Sequence, residues 1–209
     1  MIKYIVFDFD GTLVNSEEVL LSIFNQLAEK YRYKKVNPDQ LELLRNLSIR
    51  ERSKALKFPL YKLPLMITKF YLMYKHSGKN LKLQPGMKEL LDELKDKGYS
   101  LAVISSNSEQ IIREILLMNQ IDYIEHIVCS DKIFGKNKVI NKFMKKHKLT
   151  KEQILYVGDE HRDIVACKKC GVKIIWVTWG FDRIELVGQE DPHYIARVPA
   201  EILDIAQSG

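Results

Sequence analysis

The hydrophobic positions divide the chain into two parts with different patterns. From about residue 83 onward, short apolar runs alternate with amphipathic segments, and an early apolar run, Ile2 to Phe7, belongs with them. Short continuous apolar runs are typical of buried strands, whereas apolar positions three and four residues apart predict helices. Their alternation predicts an α/β fold in which helices cover both faces of a parallel sheet.

The second part of the chain contains four further predicted strands and five predicted helices. The strands are YSLAVIS, IEHIVCS, ILYVGD and VKIIWVTW. Three helices are PGMKELLDELKDKG, NKVINKFMKKHK and RDIVACKKCG, and AEILDIAQ is a short helix in the tail. The remaining helix follows Ser108, a residue type that caps helices, and its predicted inner face is Ile111, Ile112, Ile115 and Leu116.

Residues 15–82 do not alternate in this way, because they have helical spacing throughout, as in LLSIFNQLAEKY and LMITKFYLMYKH. Pro59 and Pro64 are expected to interrupt these helices, and Gly78 is expected to help end them. The sequence therefore predicts two domains. A core made of residues 1–14 and 83–209 is interrupted by a helical domain, residues 15–82.

The inserted segment is basic, with 14 Lys and Arg residues against 6 Asp and Glu residues, in a chain whose net charge is +6. This charge is consistent with a solvated helical surface or with the attraction of a small anion. Lysines and aromatic residues interleave in KFPLYKLPLMITKFYLMYKH, as they can in nucleic-acid-binding proteins. Aromatic residues at helical spacing more often form a core, so we expect no nucleic-acid partner.

Composition points to an ordinary globular protein, with 46% hydrophobic and 29% charged residues. No apolar run approaches the ~20 residues that span a bilayer, and the first residues do not resemble a signal peptide. We therefore expect a cytoplasmic protein with no membrane partner, as a monomer or weak dimer.

Cys167 and Cys170 form a single CxxC within a predicted helix, and no second pair completes a zinc site.

Polar residues cluster where the predicted strands end, which is where open α/β sheets bind ligands. Carboxylates are suited to Mg²⁺, a carboxylate can act as a nucleophile, and a metal, a cation and several hydrogen-bond donors together describe a phosphoryl site. The residues in question are Asp8, Asp10, Gly11 and Thr12 after the first strand, Ser105, Ser106 and Asn107 after the second, Asp159, Glu160 and Asp163 after the fourth, and Lys136 before a helix.

Four motifs at these positions, DFDGTLV, VISSN, the lysine of FGKNK and YVGDEHRD, resemble the signature motifs of the haloacid dehalogenase-like (HAD) hydrolase superfamily. The resemblance covers the whole predicted core, and residues 15–82 lie where this family carries a helical cap. VTWGF further resembles the phosphoglycolate-phosphatase-like branch. The resemblance implies a three-layer, Rossmann-like α/β core with a helical cap domain.

The resemblance also implies roles for the acidic residues. Asp8 would be the nucleophile, and Asp10 would protonate the leaving oxygen and then take a proton from water. Mg²⁺ would be held by Asp8, the backbone carbonyl of Asp10, and Asp159. Asp163 would be a further ligand or would orient Lys136.

The implied phosphate site has Ser105 binding the transferring phosphoryl group, helped by nearby backbone N–H groups. Gly11, Thr12, Ser106 and Asn107 complete the predicted set. Lys136 would offset the charge of nucleophile and phosphate, although the usual Lys-Pro pair is absent and Lys138 is an alternative. Glu160 is either an acceptor near the metal or an acid at a helix N-terminus.

The predicted function is therefore a Mg²⁺-dependent phosphatase that hydrolyses a small phosphorylated metabolite, a phosphoglycolate-like monoester, through an aspartyl-phosphate. A phosphomutase or phosphonatase of the same fold is an alternative. A non-catalytic phospho-acceptor or binding module is a second alternative, from a different class. Neighbouring residues are weaker candidates, for which exposed helix positions or packing are the simpler interpretation: His161, Arg162, Trp176 and Trp179.

Overall fold

The computed structural model describes residues 1–77, 81–130 and 135–208. Its strands are β1 Tyr4–Phe7, β2 Val14–Asn15, β3 Lys82–Leu83, β4 Ser100–Ser105, β5 His126–Cys129, β6 Ile154–Gly158, β7 Lys173–Val177 and β8 Tyr194–Ala196. Its α-helices are α1 Glu17–Tyr31, α2 Pro38–Arg45, α3 Ile49–Ala55, α4 Leu63–Ser77, α5 Met87–Asp96, α6 Glu109–Met118, α7 Lys136–His147, α8 His161–Cys170, α9 Ile184–Val187 and α10 Ala200–Ser208.

Six strands form one parallel sheet in the order β5-β4-β1-β6-β7-β8. Strand β1 lies between β4 and β6, and Tyr4 pairs with both Ser100 and Ile154. The chain builds one half of the sheet through β4 and β5 and then returns to build the other half from β6. Strand β1 is thus at the point where the strand order reverses, the usual place for a ligand site in this architecture.

Helices cover both faces of the sheet, which confirms the predicted α/β class. Ile5 and Phe7 pack in a cluster with residues of α5, α6 and α10, whereas Val6 packs in a second cluster with residues of α7 and α8. Alternate side chains of a strand point to opposite faces. Both sets are buried, and this is why the strands are continuous apolar runs in the sequence.

Helices α1–α4, which we call the cap, lie between β2 and β3. These two short strands form an antiparallel ribbon in which Val14 pairs with Leu83 and Asn15 with Lys82. The cap therefore leaves and rejoins the core at adjacent points. The predicted domain division at residues 15 and 82 stays a prediction, although the ribbon lies at both of these positions.

Local signals place most of the predicted elements correctly. The hydroxyl of Ser108 accepts a hydrogen bond from the Ile111 N–H at 3.3 Å, as expected for a helix cap. Pro64, expected to interrupt a helix, instead lies in the first turn of α4, where a missing N–H is tolerated. Gly78 lies outside the described residues. Among the described helices, none is long and apolar enough to cross a membrane.

Candidate active site

Asp8 directly follows β1 and is held rigidly by the sheet. Its N–H donates to the Val157 carbonyl at 2.8 Å, which extends the pairing of β1 with β6 by one residue. One carboxylate oxygen accepts from the Phe9 N–H at 2.8 Å, and the other accepts from Nζ of Lys136 at 2.7 Å. Burial raises the pKa of Asp8 to about 6, while Lys136 acts to lower it.

Lys136 begins α7 and lies between two carboxylates, because its ammonium donates to Asp163 as well as to Asp8. Burial alone would lower the pKa of Lys136, but the attraction of Asp163 and Asp8 outweighs it and holds the pKa well above its usual value. Lys138 is exposed. Of the two lysines left open by the sequence, the structure therefore brings Lys136 to Asp8, the predicted nucleophile.

Asp10 has neutral partners instead. Its carboxylate accepts hydrogen bonds from the hydroxyl of Tyr74, on cap helix α4, and from the side-chain amide of Asn107 at 2.9 Å. Burial raises the pKa of Asp10, and the bonds from Tyr74 and Asn107 act to lower it. The two aspartates of the DxD motif thus have different electrostatic surroundings although only one residue separates them.

The loop after β4 supplies the other polar groups of the predicted phosphate site. Ser105 is buried, and its hydroxyl accepts from the Asn107 N–H at 3.0 Å. The side-chain oxygen of Asn107 in turn accepts from the Ser108 N–H at 2.7 Å. These bonds hold the Asn107 amide in position to reach Asp10.

Asp159 is fully buried, and both of its carboxylate oxygens are engaged by the protein. One accepts from the Thr12 hydroxyl at 2.8 Å, and the other accepts from the Phe181 N–H at 2.7 Å. Gly11 has a φ of +76°, and a Cβ atom there would lie 2.8 Å from Cγ of Asp159. The glycine of the first motif is thus required both by its backbone conformation and by the closeness of Asp159.

Three carboxylates, those of Asp8, Glu160 and Asp163, have oxygen atoms within 4.8 Å of one another. The predicted metal set overlaps this group in Asp8 and Asp163. The side chains of Asp10 and Asp159, also predicted as metal ligands, are hydrogen-bonded to other protein groups instead. Glu160 is the third member of the carboxylate group. Oxygen donors of this kind fit Mg²⁺.

The charge balance around this cluster also fits a divalent cation. Among the described residues, four buried or partly buried acids, Asp8, Asp159, Glu160 and Asp163, lie around two cations, Lys136 and Arg162. Burial raises the pKa of Asp159 well above its usual value, and neighbouring acids raise it further. Bound positive charge would reverse this effect and stabilise the ionised acids.

One of the two weaker candidates in the YVGDEHRD motif, Arg162, has a larger role than the sequence suggested. Arg162, treated there as an exposed position, is only partly exposed, donates to Glu160 and helps lower the pKa of Asp8. His161, by contrast, has its ring against Glu190 at 3.2 Å.

Trp176 lies in β7 and Trp179 follows it. Each contacts a loop of the site through its indole N–H group. Trp176 donates to the Asp159 carbonyl at 2.7 Å, and Trp179 donates to the Thr12 carbonyl at 3.1 Å. They hold the two loops that carry Asp159 and Thr12, which is closer to packing than to ligand stacking.

A cluster of contacts fastens the cap to the loop after β7. Arg52 forms an ion pair with Asp182 at 2.5 Å, and the guanidinium groups of Arg45 and Arg52 lie 5.6 Å and 4.8 Å from the centre of the Phe181 ring. The Phe181 N–H also donates to Asp159. The residues that bind the cap are therefore the neighbours of those that shape the site.

A cavity of about 400 Å³ separates the cap from the strand ends. Asp10, Ser106 and Asn107 line its core end, and apolar side chains of α1, α2, α4 and the segments between the cap helices line most of the remainder. Trp179 also lines it. A ligand in this cavity would be enclosed by the cap and would contact Asp10.

The family model for haloacid dehalogenase-like hydrolases matches residues 5–177. The chain belongs to this family. The predicted resemblance and the prediction of a hydrolase of this kind are therefore confirmed.

Two curated relatives and one solved structure extend the comparison. A phosphoglycolate phosphatase of Synechococcus elongatus is 26% identical over 200 residues, or 95% of this chain and 94% of the relative. A pyrophosphatase of Halalkalibacterium halodurans is 27% identical over 214 residues, covering 98% and 96% of the two chains. The structure of a haloacid dehalogenase-like family hydrolase from Streptococcus pneumoniae superposes with a TM-score of 0.81 at 24% identity, covering 98% of each chain, and supports the fold.

Proposed function

We propose that this protein is a Mg²⁺-dependent phosphatase that hydrolyses a small phosphate monoester through a phosphorylated Asp8. The observation that carries the proposal is the contrast between the two aspartates that follow β1. Asp8 is paired with the ammonium of Lys136, whereas Asp10 meets neutral donors at the floor of the cavity. The phosphatase and pyrophosphatase names of the relatives support the same chemistry.

In the first step, a carboxylate oxygen of Asp8 attacks the phosphorus atom of the ester. The new bond joins Asp8 to phosphorus, and the bond from phosphorus to the leaving oxygen breaks. Asp10 donates its proton to that oxygen, so that the leaving group departs as a neutral alcohol. Lys136 and the polar groups of the Ser105–Asn107 loop would offset the charge of the transferring group.

In the second step, Asp10 takes a proton from a water molecule whose oxygen attacks the same phosphorus. The bond between Asp8 and phosphorus breaks, which releases inorganic phosphate and restores the Asp8 carboxylate. The cap encloses the cavity during both steps and limits the access of bulk water.

Magnesium would be held by Asp8 and Asp163 together with Glu160, by the Asp10 carbonyl and, if its side chain turns, by Asp159. When bound, it would supply positive charge that lets the phosphate approach the carboxylate nucleophile. Chelation with EDTA is expected to abolish turnover, and added Mg²⁺ is expected to restore it.

Among the alternatives, the phosphonatase needs a cap lysine at the reacting carbon. No lysine is found among the described residues that line the cavity, so this alternative has no support there. Several lysines of the cap, such as Lys34, Lys54 and Lys57, are exposed. The buried Arg45 and the half-buried Arg52 are paired with acids. This favours a solvated surface over a binding site for the anion.

The cytoplasmic location and the monomeric or weakly dimeric state stay predictions.

The test is hydrolysis of p-nitrophenyl phosphate with Mg²⁺ and with EDTA, by the wild type and by Asp8→Asn. We expect turnover that requires Mg²⁺ and that falls at least about 1,000-fold in the variant, since the nucleophile is lost. Acid quenching during turnover should trap a phosphorylated wild-type protein. Wild-type turnover that persists in Asp8→Asn would overturn the proposal, and so would a folded, Mg²⁺-loaded wild type that hydrolyses no phosphate ester.

A further inference from the structure

The cavity between cap and core has a composition that restricts the leaving group. Its volume of about 400 Å³ lies within the range of ordinary small-molecule sites, about 300–1,000 Å³. The side chains beyond Asp10 and Asn107 are mostly aliphatic or aromatic, including Leu20, Phe24 and Phe70. A glycolate group is small and charged, and it would leave most of this apolar surface without a partner.

Every described cation that lines the cavity is already paired with an acid. Arg45 forms ion pairs with Glu17 at 2.6 Å and Glu42 at 3.0 Å, and Arg52 pairs with Asp182. Arg162 pairs with Glu160. A carboxylate on the leaving group would have to compete with these acids for a partner in a poorly hydrated space, which is unfavourable.

The acids among the lining residues also outnumber the cations. Among the described residues, four carboxylates line the cavity, namely Asp10, Glu17, Asp159 and Glu160, and three guanidinium groups line it, namely Arg45, Arg52 and Arg162. Apart from the proposed Mg²⁺, whose charge is taken up by the phosphoryl group, this lining therefore offers no excess positive charge to a second anion. The negative charge of the phosphoryl group itself does have a partner, because the ammonium of Lys136 lies beside the proposed nucleophile Asp8.

We infer that the substrate is the phosphate monoester of an uncharged, largely apolar alcohol or phenol, whose hydrocarbon part occupies this cavity. The inference rests on the proposed phosphatase function and names the substrate class for it. Asp10 lies between the apolar cavity and the polar surroundings of Asp8 and Lys136. Its proton can therefore reach the ester oxygen while the neutral leaving group departs into apolar surroundings.

Binding can be measured without turnover by titrating the Mg²⁺-loaded protein with two phosphonates in a calorimeter. Benzylphosphonate carries an apolar group, and phosphonoacetate carries a carboxylate. We expect benzylphosphonate to bind at least about 10-fold more tightly. Equal affinities, or tighter binding of phosphonoacetate, would overturn the inference.

Turnover gives the second measurement, as kcat/KM for 1-naphthyl phosphate, 2-phosphoglycolate and pyrophosphate. We expect naphthyl phosphate to be preferred by at least about 10-fold. Leu20→Lys adds a cation to the cavity and should shift the ratio of naphthyl phosphate to phosphoglycolate toward phosphoglycolate by about 10-fold. Leu43→Lys adds the same charge at an exposed position of α2, and its ratio should equal that of the wild type.

The outcomes separate the two proposals. If phosphoglycolate or pyrophosphate is the preferred substrate, or if Leu20→Lys leaves the ratio unchanged, the inference fails while the phosphatase function stands. If no ester is hydrolysed but benzylphosphonate binds preferentially, the function fails and the apolar site stands.

Discussion

The hydroxyl of Tyr74, on the last helix of the cap, donates a hydrogen bond to the carboxylate of Asp10 in the core. Tyr74 is buried, and burial together with the nearby Asp10 charge raises the pKa of its hydroxyl, which therefore stays protonated as a donor. Sixty-four positions separate the two residues in the sequence. The cap thus contributes directly to the surroundings of the proposed acid and base, besides enclosing the cavity.

Replacing this donor should weaken proton transfer. We expect Tyr74→Phe to lower kcat by about 10- to 100-fold for alkyl phosphates, because a hydrogen bond to a charged group is worth about 1.5–3 kcal/mol. For p-nitrophenyl phosphate, whose leaving group needs little protonation, the loss should be several-fold smaller. Steady-state kinetics with both esters measure the difference.

Tyr31→Phe removes a hydroxyl from another cap tyrosine, on α1, and serves as the control. Its kinetics should match those of the wild type for both esters. An equal loss for both leaving groups in Tyr74→Phe would indicate a purely structural role for the hydroxyl.

Asp10→Asn should separate the two chemical steps. We expect kcat for alkyl phosphates to fall by about 100- to 10,000-fold, the usual contribution of a general acid or base. With p-nitrophenyl phosphate, the first step needs less help from an acid, whereas the second still needs a base. The phosphorylated enzyme should therefore accumulate and be visible by mass spectrometry after acid quenching. Its absence, with p-nitrophenol released at the wild-type rate, would contradict the role of Asp10.

Lys136→Met should remove both activity and stability, because it leaves Asp8 and Asp163 buried without their cation. Breaking a buried ion pair in this way costs about 3–5 kcal/mol. We expect a clearly lower midpoint of urea denaturation and a loss of activity of at least about 100-fold. Lys138→Met, at an exposed position two residues along the same helix, should be neutral in both measurements. The reverse ranking of the two variants would restore Lys138 as the active-site lysine.

Gly11→Ala tests the close approach of the first motif to Asp159. An alanine there needs a positive φ, a conformation that costs about 1–2 kcal/mol for residues other than glycine, and its Cβ would also collide with the Asp159 carboxylate. Gly98→Ala is a matched control, since Gly98 has a φ of +84° and a Cβ atom added there would meet nothing within 4 Å. Urea denaturation should show a larger loss for Gly11→Ala, and only that variant should lose activity. Equal losses would mean that backbone conformation alone explains the glycine.

The core of the fold could be predicted from the sequence because its strands are buried on both faces. Val6 faces one helical layer and Phe7 the other, so both must be apolar and the strand appears as a continuous run. The two-residue strands β2 and β3 and the three-residue β8 carry no such pattern, because too few side chains alternate for a period to be visible. Their pairing is set by the tertiary structure.

The candidate site could be predicted where its residues follow strand ends, as for Asp8 and Ser105, since topology alone brings strand ends together. Contacts that depend on how the cap sits on the core could not be predicted. Tyr74 has the spacing of a core aromatic, and its hydroxyl meets Asp10 only when α4 is packed over the strand ends. The engagement of Asp159 by Thr12 and Phe181 likewise depends on two loops that are distant in sequence.

The ribbon of β2 and β3 gives the protein a modular construction. The outgoing and returning chains pass side by side in a ribbon that is separate from the six-stranded sheet, so the cap takes no part in the pairing of that sheet. An unrelated set of helices grafted between Asn15 and Lys82 would meet the same pair of anchor points. Evolution can therefore exchange the part that we propose to select the leaving group while Asp8 and Asp10 keep their places.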